Sequence, residues 1–309
     1  MALLSARRRP TPASKDVTAR TPARVAAPVG LLAVAAGVAS LAGLLVGGGP
    51  GRAVVETARG AEVTLYGKGL YAADSLMVGT GNRGQDIAIL AVEIGLLLAA
   101  LAWHRRGSVT GSVVLAGVLS FFGYYYVSMV FAVAQNELFG LYVVAMGAAI
   151  FALALVLADV VPRAAELHLP DRPGHRALEL YLAFVALALT AAWLPELLSV
   201  SLEGGIAEHV GPYTSSTTEA LDLGVVVPVV VAAAVLLHRG RPMGRLLTLL
   251  MLVLNVCIGV LLMSQGIAQL VLDVPLTTGE IVVKMATFAV LTFVAGGLLL
   301  RMALRARAT

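Results

Sequence analysis

The chain has 309 residues, of which 59% are hydrophobic and 13% charged, against roughly 45–50% and about 25% in soluble domains. That apolar excess is more than one folded core can hide from water, which excludes an ordinary soluble protein and makes lipid its natural solvent. The net charge of +4 does not signal nucleic acid, because the basic residues sit at the ends of apolar runs rather than in one patch.

In chain order, residues 1–27 are rich in Arg, Pro and Ala and read as a disordered cytoplasmic tail. A cleaved signal peptide fits less well, since the polar lead is long and no small-residue cleavage site follows Val46. The first predicted span is Val29–Val46, in which Gly43 and Gly47 form a small-xxx-small pair suited to close helix packing. A long loop follows from Gly47 to Gln85. Within it Ala61–Tyr66 alternates like a short strand, and the loop reads as a cap folded over the bundle. Gly79, Gly81 and Gly84 match the spacing of a dinucleotide fingerprint but lack the βαβ context, and read as a turn.

The second and third spans are Ile87–Trp103 and Val109–Ala134, the latter carrying the aromatic cluster Phe121, Phe122, Tyr124, Tyr125 and Tyr126. The fourth is Leu141–Val161. The basic loop after it contains His168, Asp171 and His175, a sparse set that reads as solvated rather than metal-binding. The fifth span is Leu178–Leu197, and the Ser/Thr run after Tyr213 offers caps for the sixth, Leu221–Leu237, which Pro228 is expected to bend. Leu246–Ser264 and Ile281–Leu300 complete eight spans. Cys257, the only cysteine, precludes an intramolecular disulfide and reads as a small hydrophobe. The expected fold is therefore all-α, a polytopic membrane bundle of about eight transmembrane helices.

With the N-terminus inside, 17 of the 22 Lys and Arg fall on the inner side, and both termini are cytoplasmic in a plasma membrane. The outer segments hold only Arg52, Arg59, Lys68 and Arg83, and Lys284 lies within the last span. The pattern also repeats. His104-Arg105-Arg106-Gly107 precedes Gly111 as His238-Arg239-Gly240 precedes Gly244, and Asp86 and Asp222 open corresponding helices. Read as a duplication, with an even number of spans per half, this is a 4+4 parallel repeat with halves over 28–161 and 162–309; the alternative is that Gly and Arg are simply the residues that short inner turns use.

Charges inside a span are costly and are functional candidates by default. Glu93 lies seven residues into its span, about 10 Å deep at 1.5 Å per residue. With Asp222, Lys284, Asp86, Asn136, Glu137, Tyr125 and Asn255 it defines a candidate pocket on the outer side, with Lys284 paired to Glu93 or Asp222. Competing structural roles are an interfacial belt for the tyrosines and, for Lys284, snorkelling or an i,i+4 pair with Glu280. No triad, phosphate loop or haem-ligating histidine stands out, so no catalytic residue, metal or other cofactor is assigned.

Four motifs occur together: Tyr66-Gly67-Lys68-Gly69-Leu70-Tyr71 with Asp74-Ser75, Arg83-Gly84-Gln85-Asp86, Asn136-Glu137-Leu138-Phe139, and Thr217 through Gly224 leading to Pro228. In these the chain resembles a group of bacterial multi-pass membrane proteins over most of residues 60–265. That group brings no assigned activity, so the resemblance implies a bacterial inner-membrane protein and no chemistry. The expected function is a transporter or receptor-like binder of a small molecule, ion or lipid. A structural or assembly subunit of a membrane complex is the alternative, and an intramembrane enzyme on a lipid-linked substrate, with Glu93 or Asp86 as acid/base, is the third.

Overall fold

A computed structural model describes residues 13–57, 59–167, 169, 174–205, 210–272, 274 and 278–308. Eight helices are long and apolar enough to cross a membrane. They are α1 (Ala13–Leu45), α2 (Leu76–Ala88) running through a π-helical turn (Ile89–Glu93) into α3 (Ile94–His104), α4 (Val109–Phe131), α5 (Phe139–Val160) and α6 (Gly174–Glu203). After α6 comes α7 (Thr217–Leu221), continuing through a second π turn (Asp222–Val226) into α8 (Val227–His238), then α9 (Pro242–Val271) and α10 (Thr278–Ala308). The chain is an all-α helical bundle, as its apolar periodicity requires.

Three expectations change. Helix α1 begins at Ala13, so residues 13–27 are helical rather than a disordered tail, and residues 1–12 lie outside the described residues. The second span starts at Leu76, not Ile87, so Gly79, Gly81 and Gly84 are helical and not a turn. There a Cβ on Gly84 would overlap the Ser264 carbonyl, so these small residues bring α2 hard against α9. Pro228 stands in the first turn of α8, directly after the π turn. Lacking an N–H, it breaks the i→i−4 ladder where the chain has already widened to i→i+5.

The described parts of the connections α1–α2, α4–α5, α6–α7 and α9–α10 lie on one face, the cap face. Here Ala53–Glu56 (β1) pairs antiparallel with Glu62–Leu65 (β2), so the expected strand exists and has a partner. The loop is pinned to its neighbours: the Tyr66 N–H donates to the Asp74 carbonyl (2.8 Å) and the Arg52 guanidinium to the Leu272 carbonyl (2.6 Å). The opposite, basic face carries the tight Arg-Gly turns.

A single offset of 133 residues relates the two halves in detail. It carries the π turn Ile89–Glu93 onto Asp222–Val226 and the start of α4, Val109, onto the start of α9, Pro242. It carries Gly107 (φ 78°) onto Gly240 (φ 66°), both in the left-handed conformation that ends a helix before a short turn. It also carries Gly111, packed on Trp103, onto Gly244, packed on Leu236 and Leu237. In this register the counterpart of Asp86 is Glu219, not Asp222, and both are buried. The equivalent helices α4 and α9 are the most enclosed, with 67% and 61% of their most apolar stretch buried, and Gly117 of α4 packs on Val253 of α9.

Candidate functional site

In an unbroken α-helix, residues seven apart lie within about 20° of each other around the axis. Asp86 and Glu93 are seven apart, but the π turn between them inserts one residue and turns the far half through about 100°. The two acids therefore face different neighbours, Asp86 toward α1 and Glu93 toward α9. The pocket expected from their shared place on the outer side is divided into three places.

Asp86 is buried against Gly43 of α1, where a Cβ would overlap its carboxylate. The Tyr71 hydroxyl donates to Asp86 Oδ2 at 2.8 Å. Tyr125, Tyr126 and Tyr142 stand around the same carboxylate, and Ser40 lies beside it without hydrogen-bonding geometry. Burial and then the Asp86 carboxylate push the Tyr71 hydroxyl well above its usual range, which keeps it a donor. Arg83, one turn away, donates instead to the Tyr66 hydroxyl (3.3 Å) and the Leu44 carbonyl (3.2 Å). The aromatic cluster of α4 is not an interfacial belt: Phe121, Phe122, Tyr125 and Tyr126 are all buried, with Phe121 stacked on Tyr125 and Phe122 on Tyr126.

Glu93 is fully buried, and neither carboxylate oxygen has a hydrogen-bond partner among the described residues. The Cys257 thiol of α9 lies beside it, buried in the core.

Asp222 lies on the wall of a cavity of about 280 Å³ in the cap half of the bundle, between the two halves. Its carboxylate is held from two sides: the Tyr124 hydroxyl donates to Oδ1 at 3.0 Å and the Trp193 indole N–H to Oδ2 at 2.8 Å. Tyr125 and Asn255 also line this cavity, so three of the eight expected residues converge there. Asn255 donates to the Tyr181 hydroxyl at 2.9 Å. Gln85 and Gln265 close the wall between α2 and α9 through a 2.7 Å amide pair.

The remaining candidates lie elsewhere. Asn136 shapes the α4–α5 loop, donating to the Tyr142 hydroxyl and accepting from the Leu138 N–H, and Glu137 is exposed. Lys284 is in α10, but its side chain, and hence its expected pairing, lies outside the described residues. The loop residues His168 and Asp171 also lie outside them. The Ser/Thr run does not cap α7 as expected: Ser216 is its N-cap but makes no side-chain cap bond, and the Thr217 hydroxyl donates to the Phe131 carbonyl.

On the cap face, Asp74 Oδ1 accepts from the Ala134 N–H (2.7 Å) and the Tyr213 hydroxyl (2.9 Å). Burial raises this carboxyl from its ordinary 3.8 to about 6, although both hydrogen bonds oppose the rise.

Trp193, Gln85 and Gln265 were not legible as site residues. An indole near a helix end reads as a membrane anchor, and a glutamine in an apolar run reads as packing. The fold and site define the class, a multi-pass helical membrane protein with a largely apolar internal cavity that carries one carboxylate among its described lining residues. No protein-family model matches the chain, and no curated protein or solved structure matches it.

Proposed function

We propose that this protein is a transporter or membrane binding protein for a small molecule that occupies the cavity between its halves. The observation that carries this reading is Asp222. It is a buried intramembrane carboxylate with both oxygens oriented by neighbours, on the wall of a cavity of about 280 Å³ at the repeat interface. Parallel-repeat transporters bind substrate between their halves near the middle of the membrane. A charge at such a place is costly and is kept for pathways and ligands. In this reading the chain resides in a bacterial inner membrane, as the family resemblance suggests. The basic face with both termini is cytoplasmic because 17 of 22 Lys and Arg belong to it, and the cavity lies toward the outside.

Mass spectrometry of small molecules retained on the purified protein tests the reading. The wild type retains a compound that is lost from Asp222→Asn and from the cavity-filling Ser128→Phe. Identical retained species in all three proteins overturn it.

A further inference from the structure

We infer that the cavity at Asp222 takes a compact lipophilic organic cation, an amine or quaternary ammonium compound. The inference rests on the proposed function and specifies its ligand.

Charge comes first. Among the described residues lining the cavity, Asp222 is the only charged one. An anionic ligand therefore meets repulsion with no counter-charge to offset it. A cation supplies the missing partner, and a lone carboxylate in a low-dielectric site favours it strongly over a neutral molecule of the same shape.

The carboxylate is also set up to receive a ligand. Both of its oxygens are engaged, one by the Tyr124 hydroxyl and one by the Trp193 N–H. Each oxygen keeps further acceptor capacity, while the two donors hold the group in one orientation.

Polarity then narrows the class. The amides in the wall are already engaged: Gln85 with Gln265, and Asn255 with the Tyr181 hydroxyl. A sugar or polyol would find few free partners for its hydroxyls. Of the three Ser and Thr hydroxyls in the wall, those of Ser128 and Thr292 donate to carbonyls of their own helices, and apart from these and Thr218 the rest is apolar and aromatic, with Trp193 and Tyr124 at the carboxylate and Phe288 on α10. Aromatic rings clustered near a carboxylate make an environment in which ammonium groups bind, through the ring quadrupole as well as the charge. Finally, a cavity of about 280 Å³ falls just below the usual range of ligand pockets, about 300 to 1,000 Å³. The body of the cation is correspondingly compact.

Trp193 provides the readout. The protein has two tryptophans, so a Trp103→Phe background leaves Trp193 as the only indole. Emission of this protein in detergent is titrated with benzyltrimethylammonium, with its neutral carbon isostere neopentylbenzene, and with benzoate. Benzyltrimethylammonium changes the emission saturably and binds about tenfold or more tighter than the isostere, and Asp222→Asn removes that preference. Benzoate gives no saturable change.

Equal or tighter binding of the isostere overturns the cation assignment and leaves the cavity as a ligand site. So does cation binding that is unchanged in Asp222→Asn. Absence of saturable binding by every member of the panel overturns both the assignment and the cavity reading. Where Asp222→Asn does not fold, the comparison of cation and isostere on the unsubstituted carboxylate decides alone.

Discussion

Asp74, just before α2, and Tyr213, between α6 and α7, are joined by a 2.9 Å hydrogen bond from the tyrosine hydroxyl to the carboxylate. The bond ties the cap of the first half to a loop of the second. The same hydroxyl accepts from the Ser75 N–H at 3.2 Å, and the Arg59 guanidinium donates to the Tyr213 carbonyl at 2.9 Å. The two halves are thus latched on the cap face, above the cavity that separates them.

This latch makes stability depend on pH. Burial raises the Asp74 carboxyl in the folded protein from 3.8 to about 6, worth about 3 kcal/mol between its two protonation states. A raised carboxyl holds its proton more tightly folded than unfolded. Its contribution is fully present below about pH 4 and is lost as pH rises through about 6. Asp74→Asn keeps a carbonyl oxygen for the Ala134 N–H and the Tyr213 hydroxyl but cannot ionise. Thermal unfolding in detergent is expected to show the variant gaining on the wild type between pH 5 and pH 7.5. A parallel pH dependence in the two proteins would contradict the assignment.

Gly43 and Gly30 provide a contrast within α1. A Cβ at Gly43 overlaps the Asp86 carboxylate and approaches the Tyr71 hydroxyl, whereas nothing lies within 4 Å of one at Gly30. Gly30→Ala therefore gains helix propensity, up to about 1 kcal/mol. Gly43→Ala must displace a buried hydrogen-bonded pair and is expected to cost about 1–3 kcal/mol. Melting temperatures measured side by side check this, and equal effects of the two substitutions would show that Asp86 does not pack on α1.

Much of this organisation is readable from residue order. All eight spans follow from apolar run length, and Gly107 and Gly240 mark the repeat because only certain residues suit those turns. Depth along the membrane is also readable, since position in a helix converts to height, and it singles out Asp86, Glu93 and Asp222. Direction around the helix is not. One extra residue in each π turn rotates everything beyond it, and nothing in Ile89–Glu93 announces the insertion; only the second turn is accompanied by a proline. The partners of Asp222 are hidden for a different reason. Tyr124 and Trp193 lie 98 and 29 residues away, and they meet the carboxylate only because α4 is central and α6 packs beside α8.

Glu93 and Asp86 are both buried carboxylates, yet they are expected to respond oppositely to an apolar substitution. Glu93 has no hydrogen-bond partner among the described residues, so its burial is an uncompensated cost. Glu93→Leu removes that cost and leaves only the weakly polar Cys257 thiol beside it, and should stabilise the protein by roughly 1–3 kcal/mol. Asp86→Leu strands the buried Tyr71 hydroxyl and should destabilise by a similar amount, about 1–3 kcal/mol. Thermal unfolding of the two variants against the wild type separates these outcomes. A Glu93→Leu protein that melts below the wild type would mean that the carboxylate has a partner in the folded protein, and a retained cation is then the first species to look for by mass spectrometry. A more stable variant that has lost ligand retention would identify Glu93 as a group kept for function at the expense of the fold.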